Sequence, residues 1–96
     1  MLAVIFRAEV REFDEEYFSL AAELRDLAIN EYGCREFCSY TEGNNEVAIS
    51  YWDSESQITK WKKNALHMTA QGKGKNRWYR NYSVQVVEVV REYSSG

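Results

Sequence analysis

The stretch "CREFCSYTEGNNEVAISYWDSESQ", Cys34 to Gln57, sets two β-rich runs, a turn and a helix start side by side. Cys34–Thr41 and Glu46–Trp52 read as strands, and the "EGNN" between them is a hairpin signal. Ser54–Gln57, "SESQ", is a capping box: a hydroxyl at the N-cap and an amide three residues on satisfy each other's orphan backbone donors. A helix is therefore predicted directly after the second of these strands. Two paired strands with a helix immediately behind them form the middle of a split βαβ unit, and the flanks decide whether the unit is complete.

Upstream, "LAVIFRAEV" (Leu2–Val10) is apolar and β-branched and reads as a first strand. Asp14 then offers an N-cap, with Glu15 and Glu16 suited to the positive end of a helix dipole. Tyr17, Leu20, Ala21, Leu24, Leu27 and Ala28 recur at helical spacing and make one apolar stripe, ending near Tyr32–Gly33. Downstream, Ile58, Trp61, Ala65 and Met68 form the stripe of the second helix, and "YSVQVVEVVREY" (Tyr82–Tyr93) reads as a long last strand. The order β-α-β-β-α-β predicts an α+β, ferredoxin-like fold, a four-stranded antiparallel sheet with both helices on one face. Residues 1–93 form a single domain on this reading, and 94–96 a disordered tail.

Two helices cover one face of such a sheet, yet the first and last strands are apolar on both. Val84, Val86 and Val90 alternate with Val87 and Val89, and Val4 and Phe6 with Ala3 and Ile5. A sheet apolar on both faces needs a second cover, and the simplest is an identical chain. A homodimer through the sheet face is expected.

Bulk properties narrow the classes. Ninety-six residues make one core, and a chain of this length buries only roughly 60–65 % of its unfolded surface. At 45 % hydrophobic and 28 % charged the composition is that of a folded protein. Arg7 and Glu9 interrupt the apolar start, so no secretory signal is expected, and no apolar run reaches the 18 or so residues that span a bilayer. A cytoplasmic protein that touches no membrane is expected. Cys34 and Cys38, placed on one strand, would stand about 13 Å apart, beyond the roughly 7 Å a disulfide tolerates. Two free thiols are expected.

Charge is unevenly spread. Residues 1–55 carry 13 acidic and 4 basic side chains, residues 56–87 none and 7, and residues 88–96 add one negative charge, giving −9 + 7 − 1 = −3. The chain is nevertheless acidic overall, with pI near 5.2, and holds no nucleic-acid motif, so no nucleic acid is expected as partner. "GKGK" (Gly72–Lys75) lacks the spacing of a P-loop. No dinucleotide fingerprint occurs, and one His with two Cys is a poor metal set, so neither a cofactor nor a metal is expected.

The segment Ala48–Tyr93 resembles the antibiotic biosynthesis monooxygenase (ABM) domain family of the dimeric α/β-barrel superfamily, and within it a small uncharacterised bacterial subgroup. The likeness is carried by "YWDSE" opening the second helix, Trp61, "HMTAQ" (His67–Gln71), "WYRNY" (Trp78–Tyr82) and a valine-rich strand closing on "REY". The resemblance implies a cofactor-free monooxygenase acting on a small phenolic or quinol-type aromatic. The alternative is a non-catalytic small-molecule binder or stress-related accessory protein of the same fold. The haem-degrading branch would require an Asn on the first strand, and Leu2–Val10 has none.

Under the first reading, His67 takes the phenol proton, since imidazole alone titrates near neutrality unperturbed. Asn64, three residues earlier on the same helical face, and Tyr40 orient the hydroxyl. Trp61 and Trp52 wall the pocket, and Arg77 holds the phenolate charge. Against this, a straight helix turns His67 about 120° away from Trp61. Core packing is the competing role for both tryptophans.

Overall fold

The computed structural model describes residues 1–71 and 78–96, the side chains of 66–71 excepted. The elements are β1 (Leu2–Val10), α1 (Glu15–Glu31), β2 (Glu36–Glu42), β3 (Asn45–Trp52), α2 (Glu55–Gln71) and β4 (Tyr79–Glu88). They form one four-stranded sheet in the order β2-β3-β1-β4, every neighbouring pair antiparallel. This is the expected ferredoxin-like α+β fold. Because β3 and β4 both run opposite to β1, they run alike, and α2 must return between them across the sheet.

The caps act as the sequence implies. Asp14 Oδ1 accepts the Tyr17 amide at 2.8 Å, which starts α1. Ser54 Oγ accepts the Gln57 amide at 3.3 Å, while Gln57 Oε1 reaches back to the amide of Asp53 at 3.1 Å, one residue earlier than the standard capping box. At the end of α1, Gly33 takes φ +82°, a conformation costly for residues with a Cβ, and the Cys34 amide turns back onto the Ala28 carbonyl at 2.9 Å.

Strand register defines the two faces. Leu2, Val4, Phe6 and Ala8 of β1 align with Trp52, Ser50, Ala48 and Glu46 of β3 and with Glu88, Val86, Val84 and Tyr82 of β4. This is the helix side. Val4 and Trp52 pack there with Ala28, Cys34 and Ile58, and Ala8 and Val10 with Tyr17 and Trp78. The two clusters occupy opposite ends of the sheet.

The other face carries Ala3, Ile5, Val47, Ile49, Tyr51 and Val87. Ala3 is buried there because Tyr51 and Val87 flank it. No described element covers this face.

Two boundaries differ from the sequence reading. The last strand is Tyr79–Glu88, not Tyr82–Tyr93. It pairs only with β1, and that partner runs out at Leu2, which faces Glu88; the Val89 amide still reaches the Met1 carbonyl at 2.9 Å. Beyond it Val90 and Tyr93 have no strand beside them and are 89 % and 83 % exposed. At the other end the pairing continues to Tyr79 opposite Val10, across an irregularity after Glu9. The second strand begins at Glu36, so Cys34 precedes it, buried, with its thiol donating to the Glu36 carbonyl at 3.2 Å. Both cysteines are free, and burial pushes the Cys34 thiol up.

Candidate functional site

Between the two core clusters the helix side of the β1–β4 pair is an apolar shelf. Phe6, Tyr82, Val84 and Val86 stand on it, and Ala8 and Ala48 are small enough to leave depth. Tyr82 is 41 % exposed and Val84 and Val86 are 44 % exposed, although they face the side the helices occupy. An apolar surface left open inside a two-layer fold is where a small ligand finds both hydrophobic contact and access.

One end of the shelf is tryptophan-rich. Trp52 and Trp61 lie with ring centroids 5.5 Å apart, and Phe37 sits edge-on to Trp61 at 6.0 Å. The Trp61 indole donates to the Leu24 carbonyl at 3.1 Å, tying α2 to α1. One turn later Asn64 Nδ2 donates to the Tyr32 hydroxyl at 3.3 Å. Trp52 is fully buried and donates to Ser50 Oγ at 2.8 Å, so its ring is core and only Trp61, partly exposed, is open to a ligand.

The other end is built from β1, β3 and β4. Phe6, Tyr79 and Tyr82 contact one another with centroids 5.5, 5.9 and 5.8 Å apart. Glu46 stands in the same cross-strand row as Ala8 and Tyr82, and its Oε2 is buried with no hydrogen-bond partner. Burial pushes the Glu46 carboxyl up. Tyr79 is pushed up to about 12, first by burial and then by the nearby Glu46 and Tyr82. Only the tyrosine feels its neighbour's charge, because a phenol is neutral while a carboxyl titrates. The native state thus holds the Glu46 proton more tightly than the unfolded chain. Its contribution to stability is greatest below the ordinary carboxyl range and declines as pH rises through the window above it.

The sequence-predicted residues divide accordingly. Trp52, Trp61 and Asn64 come together at one end of the shelf. Tyr40 does not join them: it pairs with Val47, three residues along β2 from the core-packed Phe37, and so stands on the opposite face, 67 % exposed. The side chain of His67 and all of Arg77 lie outside the described residues. Sequence reasoning passed over Glu46, Phe6 and Tyr79 as site residues. Counting back by twos from the buried Trp52 through Ser50 and Ala48 would have put Glu46 on the core side.

Two other features build no site. An open groove of about 530 Å³ runs along one flank of α1, lined by Ser19, Ala22, Glu23, Asp26, Leu27, Asn30 and Glu31; it is shallow and acidic and draws no elements together. Among the described residues no group of three or more His, Cys, Asp or Glu is placed to hold a metal, and no helix is long and apolar enough to cross a membrane. The basic half of the chain is partly compensated, since Arg80 bridges Glu9 at 3.0 Å.

No family model matches the chain. It is 34 % identical to the uncharacterised protein YqjZ of Bacillus subtilis over 91 residues, covering 94 % of this chain and 80 % of YqjZ. It is 30 % identical over 100 residues to the jasmonate monooxygenase ABM of Pyricularia oryzae, covering 99 % of this chain and 46 % of that protein, so it spans just under half of it. In fold it is similar to SnoaB, a cofactor-independent oxygenase from Streptomyces nogalater, with a TM-score of 0.78 at 12 % identity, covering 98 % of this chain and 97 % of that one. The chain therefore belongs to the same family as YqjZ, and its fold is the one that SnoaB and a solved antibiotic biosynthesis monooxygenase share.

Proposed function

We propose that the protein is a cofactor-independent monooxygenase that takes a small phenol or quinol onto the β1–β4 shelf. The observation that carries this reading is the open apolar surface of Tyr82, Val84 and Val86 on the helix side, with Phe6 beside it. Planar, electron-rich rings suit such walls, and the fold likeness to SnoaB supports the reaction type. Deprotonating a quinol yields an electron-rich anion that reacts with dioxygen directly. The balance closes without a cofactor: quinol plus dioxygen gives hydroxyquinone plus water, the substrate supplying the electrons. Asn64, held by Tyr32, orients the ring from the tryptophan end, with Trp61 as its wall. His67 is the proposed proton acceptor.

Oxygen uptake with a panel of quinols tests this. Enzyme-dependent uptake should fall about 100-fold in His67→Ala or Asn64→Ala, the lower end of what a positioned acid–base group contributes. Uptake no faster than the uncatalysed rate across the panel would sink the oxygenase and leave the non-catalytic binder.

The open sheet face carries the assembly proposal, an isologous homodimer joined over Ala3, Ile5, Val47, Ile49, Tyr51 and Val87. Light scattering should give twice 11.3 kDa for the wild type. Ile49→Glu places a charge in the middle of the joined faces and should give monomer at the same concentration. A wild type that runs as a monomer at high micromolar concentration would remove the dimer.

A further inference from the structure

Among the described residues, Glu46 is the acid that the fold carries into the layer between sheet and helices and leaves with a buried oxygen unmatched. Burying a carboxyl oxygen without a partner is costly, and such an atom in a native structure calls for a reason. Its surroundings suggest one. The row Thr41–Glu46–Ala8–Tyr82 crosses the helix side of the sheet, and Ala8 contributes only a methyl group between the two functional residues. Strands lie about 4.8 Å apart, so Glu46 and Tyr82 flank a gap of roughly 10 Å between their backbones. Phe6 and Tyr79 close the gap on the aromatic side. Glu46 is about 20 Å along β3 from Trp52, six residues at strand rise, so a ring held here occupies a second position on the shelf, apart from the one that Asn64 and Trp61 would orient.

We propose that Glu46 is the ligand-binding carboxylate of the shelf: its Oε2 accepts a hydrogen bond from a hydroxyl of an aromatic ligand whose ring lies against Phe6, Tyr79 and Tyr82. The proposal rests on the reading of the shelf as the ligand site, and adds the group that selects hydroxylated rings over their ethers. The carboxylate accepts where an ether has nothing to donate, and a charged acceptor makes the stronger kind of hydrogen bond. Tyr79, neutral far above physiological pH, stays a hydroxyl and does not repel the ligand.

The test is anaerobic titration calorimetry with naphthohydroquinone and with its dimethyl ether, on the full-length wild type, Glu46→Leu and Glu46→Gln. The wild type should bind the quinol about tenfold more tightly than the ether, the discrimination expected of one hydrogen bond to a charged group. Glu46→Leu should erase that preference while leaving ether affinity unchanged, and Glu46→Gln should keep a smaller part of it. Thermal unfolding serves as the control for folding, and Glu46→Leu should melt no lower than the wild type, because the carboxyl it removes has an unmatched buried oxygen. If both probes bind equally, or if the preference survives in Glu46→Leu, Glu46 is not the recognising group while the shelf reading stands. If the wild type binds neither probe, the shelf reading fails and this proposal with it.

Discussion

Trp52→Ala is expected to remove about 3–5 kcal/mol of stability, the range for deleting a large aromatic from a packed core. The residue is fully buried at the point where β3 hands over to α2, packed with Val4, Ala28, Cys34 and Ile58 from three other elements and the segment before β2. Its ring meets Trp61 at 5.5 Å, so truncation also frees the side chain that ties α2 to the Leu24 carbonyl. Ser50, itself buried, loses the indole donor at 2.8 Å and keeps a hydroxyl with one fewer partner. Single domains hold only about 5–15 kcal/mol in total, so the variant should be near the edge of folding at room temperature. Urea unfolding followed by circular dichroism measures it. A loss below about 1 kcal/mol would mean that the cluster is not the organising core of that half of the sheet. Trp52→Phe separates packing from hydrogen bonding, because it keeps a ring and deletes the donor.

The second large effect belongs to the opposite end. Trp78→Ala should likewise cost about 3–5 kcal/mol. Trp78 is 1 % exposed, stands edge-on to Tyr17 at 5.6 Å, and donates to Asp14 Oδ2 at 3.3 Å. Its carbonyl also accepts the Arg11 amide at 2.7 Å. Asp14 therefore serves two elements at once: Oδ1 caps α1 through Tyr17, and Oδ2 takes the indole that leads into β4. The two ends of the chain are joined through one carboxylate. A double-mutant cycle with Asp14→Ala and Trp78→Phe should therefore show coupling of about 0.5–3 kcal/mol. Strict additivity in the cycle would reduce Asp14 to a helix cap and leave the indole bond without energetic weight.

Legibility in the sequence followed the range of the interactions. Asp14 and Ser54 announced their helices because capping involves residues three apart, whatever the fold around them. The apolar stripe of α1 and the run Leu2–Val10 were readable for the same reason. The hairpin of β2 and β3 was readable because its turn is local. From the order of these elements the antiparallel sheet with helices on one face followed by topology. The apolar pattern on both sides of β1 and β4 also pointed correctly to a face that no described element covers.

What remained for the tertiary structure were properties that one strand inherits from another. The last strand stops at Glu88 because β1 starts at Leu2, although Val89 and Val90 are as β-prone as the valines before them. Tyr40 is an aromatic in a strand on any local reading; only the packing of Phe37 against Trp61 fixes which way the alternation runs and turns Tyr40 from the helices.

 Trp52 read equally well as core or pocket wall until Val4, Ala28 and Ile58 closed around it. Glu46 read only as the first residue of a strand. Its burial depends on Ala8 beside it and Tyr79 nearby, residues 38 and 33 positions away in the chain. By itself, then, the sequence determined the elements, their order and their apolar faces, since those arise from backbone periodicity and near-neighbour hydrogen bonds. Strand length, the direction each side chain faces and the unmatched carboxyl were decided only when distant segments paired, because burial is a property of neighbours that the chain brings together only by folding.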